Sequence, residues 1–275
     1  MAIEPSSVQR DRMLAQGKTK LALAQFLVFR DPAFYRDYLE ITRQSVTAEG
    51  GVRVHQLKIG QVLTGGELPY QYLTIDSFPS SQALLQAHEN TREIRQEALI
   101  EIYAIIIKPN PAVKRIFKGL GFLSQLLTKW LGTSETRDIK NLSGLLDPET
   151  DPDPGKLSEF GTGNLEQPFY MMNLNQFSAR NKQGTSGKAA YNRYSSWITP
   201  YLVSVGGYPD IYGEILSTYI GDQKSKLHNI WHHFALVYYP SRFHFLRLMS
   251  NSPIWAAEIR RAGLKRVVLM PCSKT

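Results

Sequence analysis

Phe78-Pro79-Ser80-Ser81, an apolar-periodic run to Ile100, and then Tyr103-Ala104-Ile105-Ile106-Ile107-Lys108-Pro109 form one stretch of this chain. Its counterpart is Tyr239-Pro240-Ser241-Arg242, a similar run to Leu264, and Val267-Val268-Leu269-Met270-Pro271. Both read as strand, Pro-Ser turn, helix, strand. The parallel extends outward. Gly50-Gly51 closes a helix and leads into Val52 to Leu63, and Gly206-Gly207 does the same before Ile211 to Ile220. Paired glycines suit helix C-termini, where a left-handed backbone is needed. Leu21 to Phe29 and Phe169 to Phe177 are apolar strand candidates, each preceding a helical stretch. Asp31-Pro32 and Ser252-Pro253 are helix-start signals. Pro200 predicts a kink or an early end in the helix of the second stretch.

Each repeat therefore reads β-α-β-β-α-β, the ferredoxin-like unit. A four-stranded sheet with helices on one face leaves its other face uncovered, and two such units in one chain can bury those faces against each other. The expected fold is α+β: a first repeat over 20–109 and a second over 168–275, after an N-terminal extension at 1–19. Residues 110–167 join them. Ala112 to Gly132 is apolar and basic, which suits a helix packed on the adjoining repeat, a lid, or an anionic membrane surface. Glu135 to Gln167 holds eight acidic and three basic residues with repeated Asp-Pro pairs, and reads as an extended linker.

Composition narrows the function classes. The chain of 275 residues carries a formal charge of +8 and a single cysteine, Cys272, which forbids an internal disulfide or a zinc–cysteine cluster. Neither a signal-peptide core nor an apolar run of membrane-spanning length is present, so a cytoplasmic protein is expected. The charge is uneven: residues 1–109 are net zero, 110–167 net −1 and 168–275 net +9. RNA-stacking motifs are absent, so an anionic ligand or surface is favoured over nucleic acid. Gly184-Thr185-Ser186-Gly187-Lys188 lacks the glycine spacing of a phosphate loop. At the start of a strand, His232 and His233 point to opposite faces, so no metal site is expected.

Residues able to carry chemistry concentrate in the second repeat. Asn173 interrupts an apolar strand, Tyr191 and Tyr194 share the following helix, and Tyr212 and Glu214 lie on the next strand. Trp231 and His232 open the third. His232 or, if buried, Glu214 could move protons, with Asn173 and Tyr194 beside them. Tyr212, Trp231 and Tyr191 could bind substrate, and Arg260 or Arg261 could hold an anionic group. The corresponding positions of the first repeat, Gln25, Gly60-Gln61 and Tyr70-Gln71, are blander, so a single active site belongs in the second repeat.

Phe169-Tyr-Met-Met-Asn-Leu174, Tyr191-x-x-Tyr194, Gly206-Gly207, Tyr212-Gly-Glu214, Trp231-His-His-Phe-Ala-Leu-Val-Tyr-Tyr-Pro-Ser241 and Ile259-Arg-Arg-Ala-Gly-Leu264 resemble an uncharacterised family of the dimeric α/β-barrel superfamily. That superfamily includes EthD-like proteins, antibiotic-biosynthesis monooxygenases, muconolactone isomerases and haem-binding chlorite dismutase relatives. The resemblance covers 168–271 well and 20–109 more faintly. It implies an intramolecular barrel of two repeats and an apolar pocket with a few polar side chains. The leading expectation is a cofactor-independent enzyme acting on a hydrophobic small molecule (polyketide, aromatic or lipid-like) by isomerisation, cyclisation or monooxygenation. A non-catalytic binder of a lipophilic ligand or of a membrane, through 112–132, is the alternative. Haem is less favoured because no histidine stands in a haem-ligand motif, and a further homodimer is open.

Overall fold

The computed structural model describes residues 3–113, 115–117, 147–180, 184–251 and 254–275. Eight antiparallel strands close into a barrel. They are β1 (Leu21–Phe29), β2 (Val52–Ile59), β3 (Tyr72–Phe78), β4 (Leu99–Pro109), β5 (Phe169–Phe177), β6 (Tyr208–Ile220), β7 (His233–Tyr239) and β8 (Leu264–Lys274). Their order around the barrel is β1-β3-β2-β8-β5-β7-β6-β4. Strand pairing joins the two halves at the β2–β8 and β4–β6 seams. Both halves carry the same register irregularity: pairing shifts between Arg53 and His55 on β2, and between Pro209 and Ile211 on β6.

Strand burial explains why the strand sequences are mostly apolar. On β1, Ala22, Ala24 and Phe26 enter the lumen while Leu21, Leu23, Leu27 and Phe29 face helices, so both sides are apolar except at Gln25, which is hydrogen-bonded. The outer layer of the first half is α1 (Ser7–Leu14), α2 (Phe34–Ala48), α3 (Ser81–Asn90) and α4 (Arg92–Ala98). Over the second half lie α5 (Pro154–Thr162), α6 (Gly187–Ser204), α7 (Arg242–Asn251) and α8 (Ile254–Gly263). The glycine pairs close helices as expected: Gly50 and Gly206 adopt φ of 72° and 75°, and Gly51 and Gly207 donate back to the Val46 and Leu202 carbonyls.

Three local expectations change. Asp31 does not cap α2; it accepts from the Ala33 amide in a turn, and the helix starts at Phe34. α6 runs through Pro200 to Ser204, because Pro200 lies on the exposed side, where water can take the freed carbonyl. Residues 147–167, expected as extended linker, instead contain α5, capped by Asp153 and burying Leu157 and Phe160 in the second-half core. Ala112 to Gly132 falls outside the described residues apart from 112–113 and 115–117, which are helical. Among the described residues, no helix is long and apolar enough to cross a membrane.

Seam geometry yields a direct test. Gly213 on β6 lies against β4, and a Cβ there would run into the Lys108 carbonyl oxygen and the Ile107 side chain. Gly213→Ala is therefore expected to lower unfolding free energy by about 1–3 kcal/mol. An unchanged urea midpoint would contradict this packing of β4 on β6.

Candidate functional site

The two ends of the barrel differ. The end where β3 and β4 begin is plugged by the loop entering β7: Leu227 and Trp231 join the lumen core, and the Trp231 indole donates to the Leu227 carbonyl at 2.9 Å. There Tyr70 donates to the buried Glu101 carboxylate at 2.7 Å and meets the Ser225 hydroxyl at the same distance. The opposite mouth gathers Tyr170 from the start of β5, Tyr208 and Asp210 from the start of β6, and Tyr238 from the end of β7. Tyr208 and Tyr238 are half-buried.

Into this mouth comes His55 from β2, which lies across the barrel from β6. Its Nε2 is 2.6 Å from Asp210 Oδ2, with both side chains under a tenth exposed. The approach is close but off the hydrogen-bond axis, so among the described residues Nε2 has no well-aligned partner. The pair depends on the shared irregularity: Asp210 is the extra residue where β6 slips past β7, and a bulge re-aims such a side chain. Tyr170 packs edge-on to the imidazole at 5.1 Å and meets Tyr238 at 5.5 Å, while Tyr208 meets Tyr238 at 5.0 Å. Burial raises the Tyr170 pKa, and the Asp210 charge adds to it. Tyr208 is pushed up to about 12 by the same two causes. The three phenols therefore stay protonated and can act as donors. Cys272, also facing the lumen, has its thiol pushed up by burial and is no nucleophile at neutral pH.

A second polar group lies between the first-half sheet and its helices. Arg53 forms a buried ion pair with Asp76 and donates to Thr42 at 3.0 Å; Gln25 donates to Asp76 at 3.3 Å. Burial raises the Asp76 pKa against the opposing pull of Arg53. Beside it is a small cavity, bounded by Asp76, Gln25, Thr42, Tyr38, His88 and apolar side chains, with room for little more than water. Buried Arg95 grips Glu4 with two nitrogens at 2.8 and 3.2 Å, tying down the N-terminal segment. Desolvation would raise the Glu4 pKa, but the Arg95 charge and hydrogen bonds and the nearby His88 imidazole hold it at about 2.

Of the side chains singled out in the second half, Asn173, Tyr212 and Glu214 lie on the outer side of β5 and β6, Tyr191, Tyr194, Arg260 and Arg261 on the helices over it, and Trp231 in the lumen. Asn173 donates to the Met171 and Ala235 carbonyls at 2.9 and 3.5 Å. Buried Asn175 contacts the Tyr191 hydroxyl at 3.1 Å and His233 Nδ1 at 3.2 Å, with Tyr212 packed on His233 at 4.1 Å. Tyr194 lies against Tyr191. His232 precedes the strand, and its Nδ1 accepts from the Phe177 amide. His232 and His233 both pack on Phe177 instead of pointing to opposite faces, because alternation begins only at His233. Glu214 is exposed, not buried. Arg260 and Arg261 are engaged by Asp151 at 3.1 and 2.5 Å.

Two buried imidazoles set an acid limit on the fold. Burial lowers His88 to about 4, and burial together with Lys188 lowers His233 to about 3. Both are neutral in folded and unfolded chains above pH 6.5. Below it the unfolded chain gains protons that the fold refuses. Stability should thus be full above pH 6.5 and fall by roughly 2–3 kcal/mol for each imidazole by pH 4.5. Urea midpoints that stay level across that interval, or are equally steep in His233→Gln, would contradict it.

No protein-family model matches the sequence, and no curated protein matches it. Among solved structures, the RPA0582 protein of Rhodopseudomonas palustris, of unknown function, is 25% identical over 46% of this chain and 96% of its own, with a TM-score of 0.41. A protein of Lactobacillus acidophilus, provisionally named a monooxygenase, is 11% identical over 93% of this chain and 94% of its own, TM-score 0.44. One of Fusobacterium nucleatum, named in the same way, is 8% identical over 93% and 91%, TM-score 0.46.

Proposed function

We propose that the chain is a cofactor-independent enzyme that moves protons on a small hydrophobic molecule at the end of the barrel where β5 and β6 begin. The observation that carries this reading is the buried contact between His55 and Asp210. With Nε2 facing a carboxylate, Nδ1 is the ring atom left to take a proton, and the carboxylate stabilises the imidazolium that forms. Catalytic contacts often align only when substrate is present, which suits the off-axis approach. Tyr170 is the donor placed to hold an oxyanion as the proton leaves carbon. The aromatic rim and the apolar floor of Met172, Ile211 and Leu236 favour an aromatic or polyketide-like carbonyl compound. Proton removal of this kind is the step that isomerisation and cyclisation need.

The same reading treats the two halves as tandem ferredoxin-like repeats. Their matching element order and matching β2 and β6 irregularities support a duplication. The site then belongs to neither repeat alone, since His55 comes from the first and Asp210 from the second. The test is solvent deuterium incorporation into a panel of β-diketones and hydroxyaryl ketones incubated with the protein. Exchange at the acidic carbon by the wild type, lost in His55→Gln, is the expected result; equal exchange by the variant overturns the assignment.

A further inference from the structure

The helical layers of the two halves differ in charge and in what they expose. Helices α2, α3 and α4 carry four basic and five acidic residues. Helices α6, α7 and α8 carry Lys188, Arg193, Arg242, Arg247, Arg260 and Arg261 against a single acid, Glu258. On this basic layer Trp197 is 50% exposed and Trp255 39% exposed, their rings packed edge to face at 5.0 Å where α6 meets α8. Arg193, Trp197 and Tyr201 follow one another at four-residue spacing along α6, so they share one face, and all three are exposed.

We infer that this face of α6 and α8 is a docking surface for an anionic lipid bilayer. Tryptophan and tyrosine favour the bilayer interface, where an apolar ring and a polar edge are both accommodated, and basic side chains add attraction to acidic headgroups. A second copy of the chain is a poor occupant, because it would bring two layers of like charge together. Single-stranded nucleic acid suits the face less well. The two indoles stand 78° apart and cannot offer parallel platforms to successive bases, whereas a bilayer interface imposes no ring orientation. The Arg260 and Arg261 charges are offset in part by Asp151, and Lys188 lies half a turn of α6 from Trp197, so Arg193, on the Trp197 face, leads the attraction. This surface lies on the outside of the second-half sheet, away from the barrel lumen, and does not depend on the catalytic reading.

Co-sedimentation of the full chain with phosphatidylcholine vesicles, with and without phosphatidylserine, tests it. Binding should require phosphatidylserine, fall with added salt, and weaken roughly tenfold or more in Trp197→Ala/Trp255→Ala. Quenching of indole emission by brominated lipid in the unmodified protein gives a readout that does not rely on the variant's folding. Three results would overturn the inference: no binding to the anionic vesicles, unchanged binding by the double variant, or absence of lipid quenching. Tighter retention of a single-stranded oligonucleotide at the same salt, lost in that variant, would assign the surface to nucleic acid instead.

Discussion

Asp76→Ala is expected to lower the unfolding free energy by about 3–5 kcal/mol. The reason lies in what the substitution leaves behind. Arg53 has 7% of its side chain exposed, Asp76 1%, and one guanidinium nitrogen of Arg53 already has no hydrogen-bond partner among the described residues. Removing the carboxylate strands a buried positive charge whose remaining support is the Thr42 hydroxyl. Gln25 loses its acceptor at the same time, though it keeps Thr74. Replacing both charged partners, as in Arg53→Met/Asp76→Leu, should recover most of the loss, because the stranded charge goes with its partner. Urea unfolding of the three proteins checks this. A shift below about 1 kcal/mol for Asp76→Ala, the range of an exposed pair, would contradict a buried ion pair at this place.

The second large effect is on chemistry. His55→Gln should lower deuterium exchange by about 10²–10⁴-fold, the usual contribution of a positioned general base. Asp210→Asn should fall in the same range, although Asp210 acts through the imidazole as a positioning residue. An amide keeps the shape but cannot stabilise the imidazolium. A structural role alone would move stability without this selectivity, so both variants are to be compared at equal folded fraction. Retention of substrate binding alongside lost exchange separates the proton-transfer role from a packing role. Tyr170→Phe is the useful companion: it should keep the ring contact with His55 and lose the oxyanion donor.

Much of the architecture could be read from the residues because its rules are local. Leu21–Phe29 and Phe169–Phe177 coincide with β1 and β5, since strands buried on both faces are rich in apolar residues on both sides. The glycine pairs coincide with helix ends because a left-handed backbone excludes most other residues. Asp-Pro repeats misled the reading of 147–167. Asp153-Pro154 is a helix cap with proline in the first turn, and Asp151 turns inward to two arginines. Composition alone cannot separate a solvated acidic linker from an acidic arm bound to a basic partner.

The candidate site was less legible, for a geometrical reason. Which side of β7 each histidine takes depends on where pairing begins, and a shift of one residue exchanges the answer. Asn175 carried a usable signal, since it lies two residues beyond Asn173 and so shares its face. Gln25, read as bland, belongs to a buried ionic network whose other members come from β2, β3 and α2. His55 and Asp210 gave no signal at all. They lie in different halves, and only closure of the barrel together with the slip at Asp210 brings them together.

The most direct measurement is a double-variant cycle on the lumen pair: His55→Gln, Asp210→Asn and both together, each read as the rate of deuterium exchange per folded molecule. If the imidazole and carboxylate act as one base, either single change should cost nearly as much as both, within about threefold. Losses that multiply in the double variant, or a single variant exchanging at the wild-type rate, would contradict a shared site across the barrel.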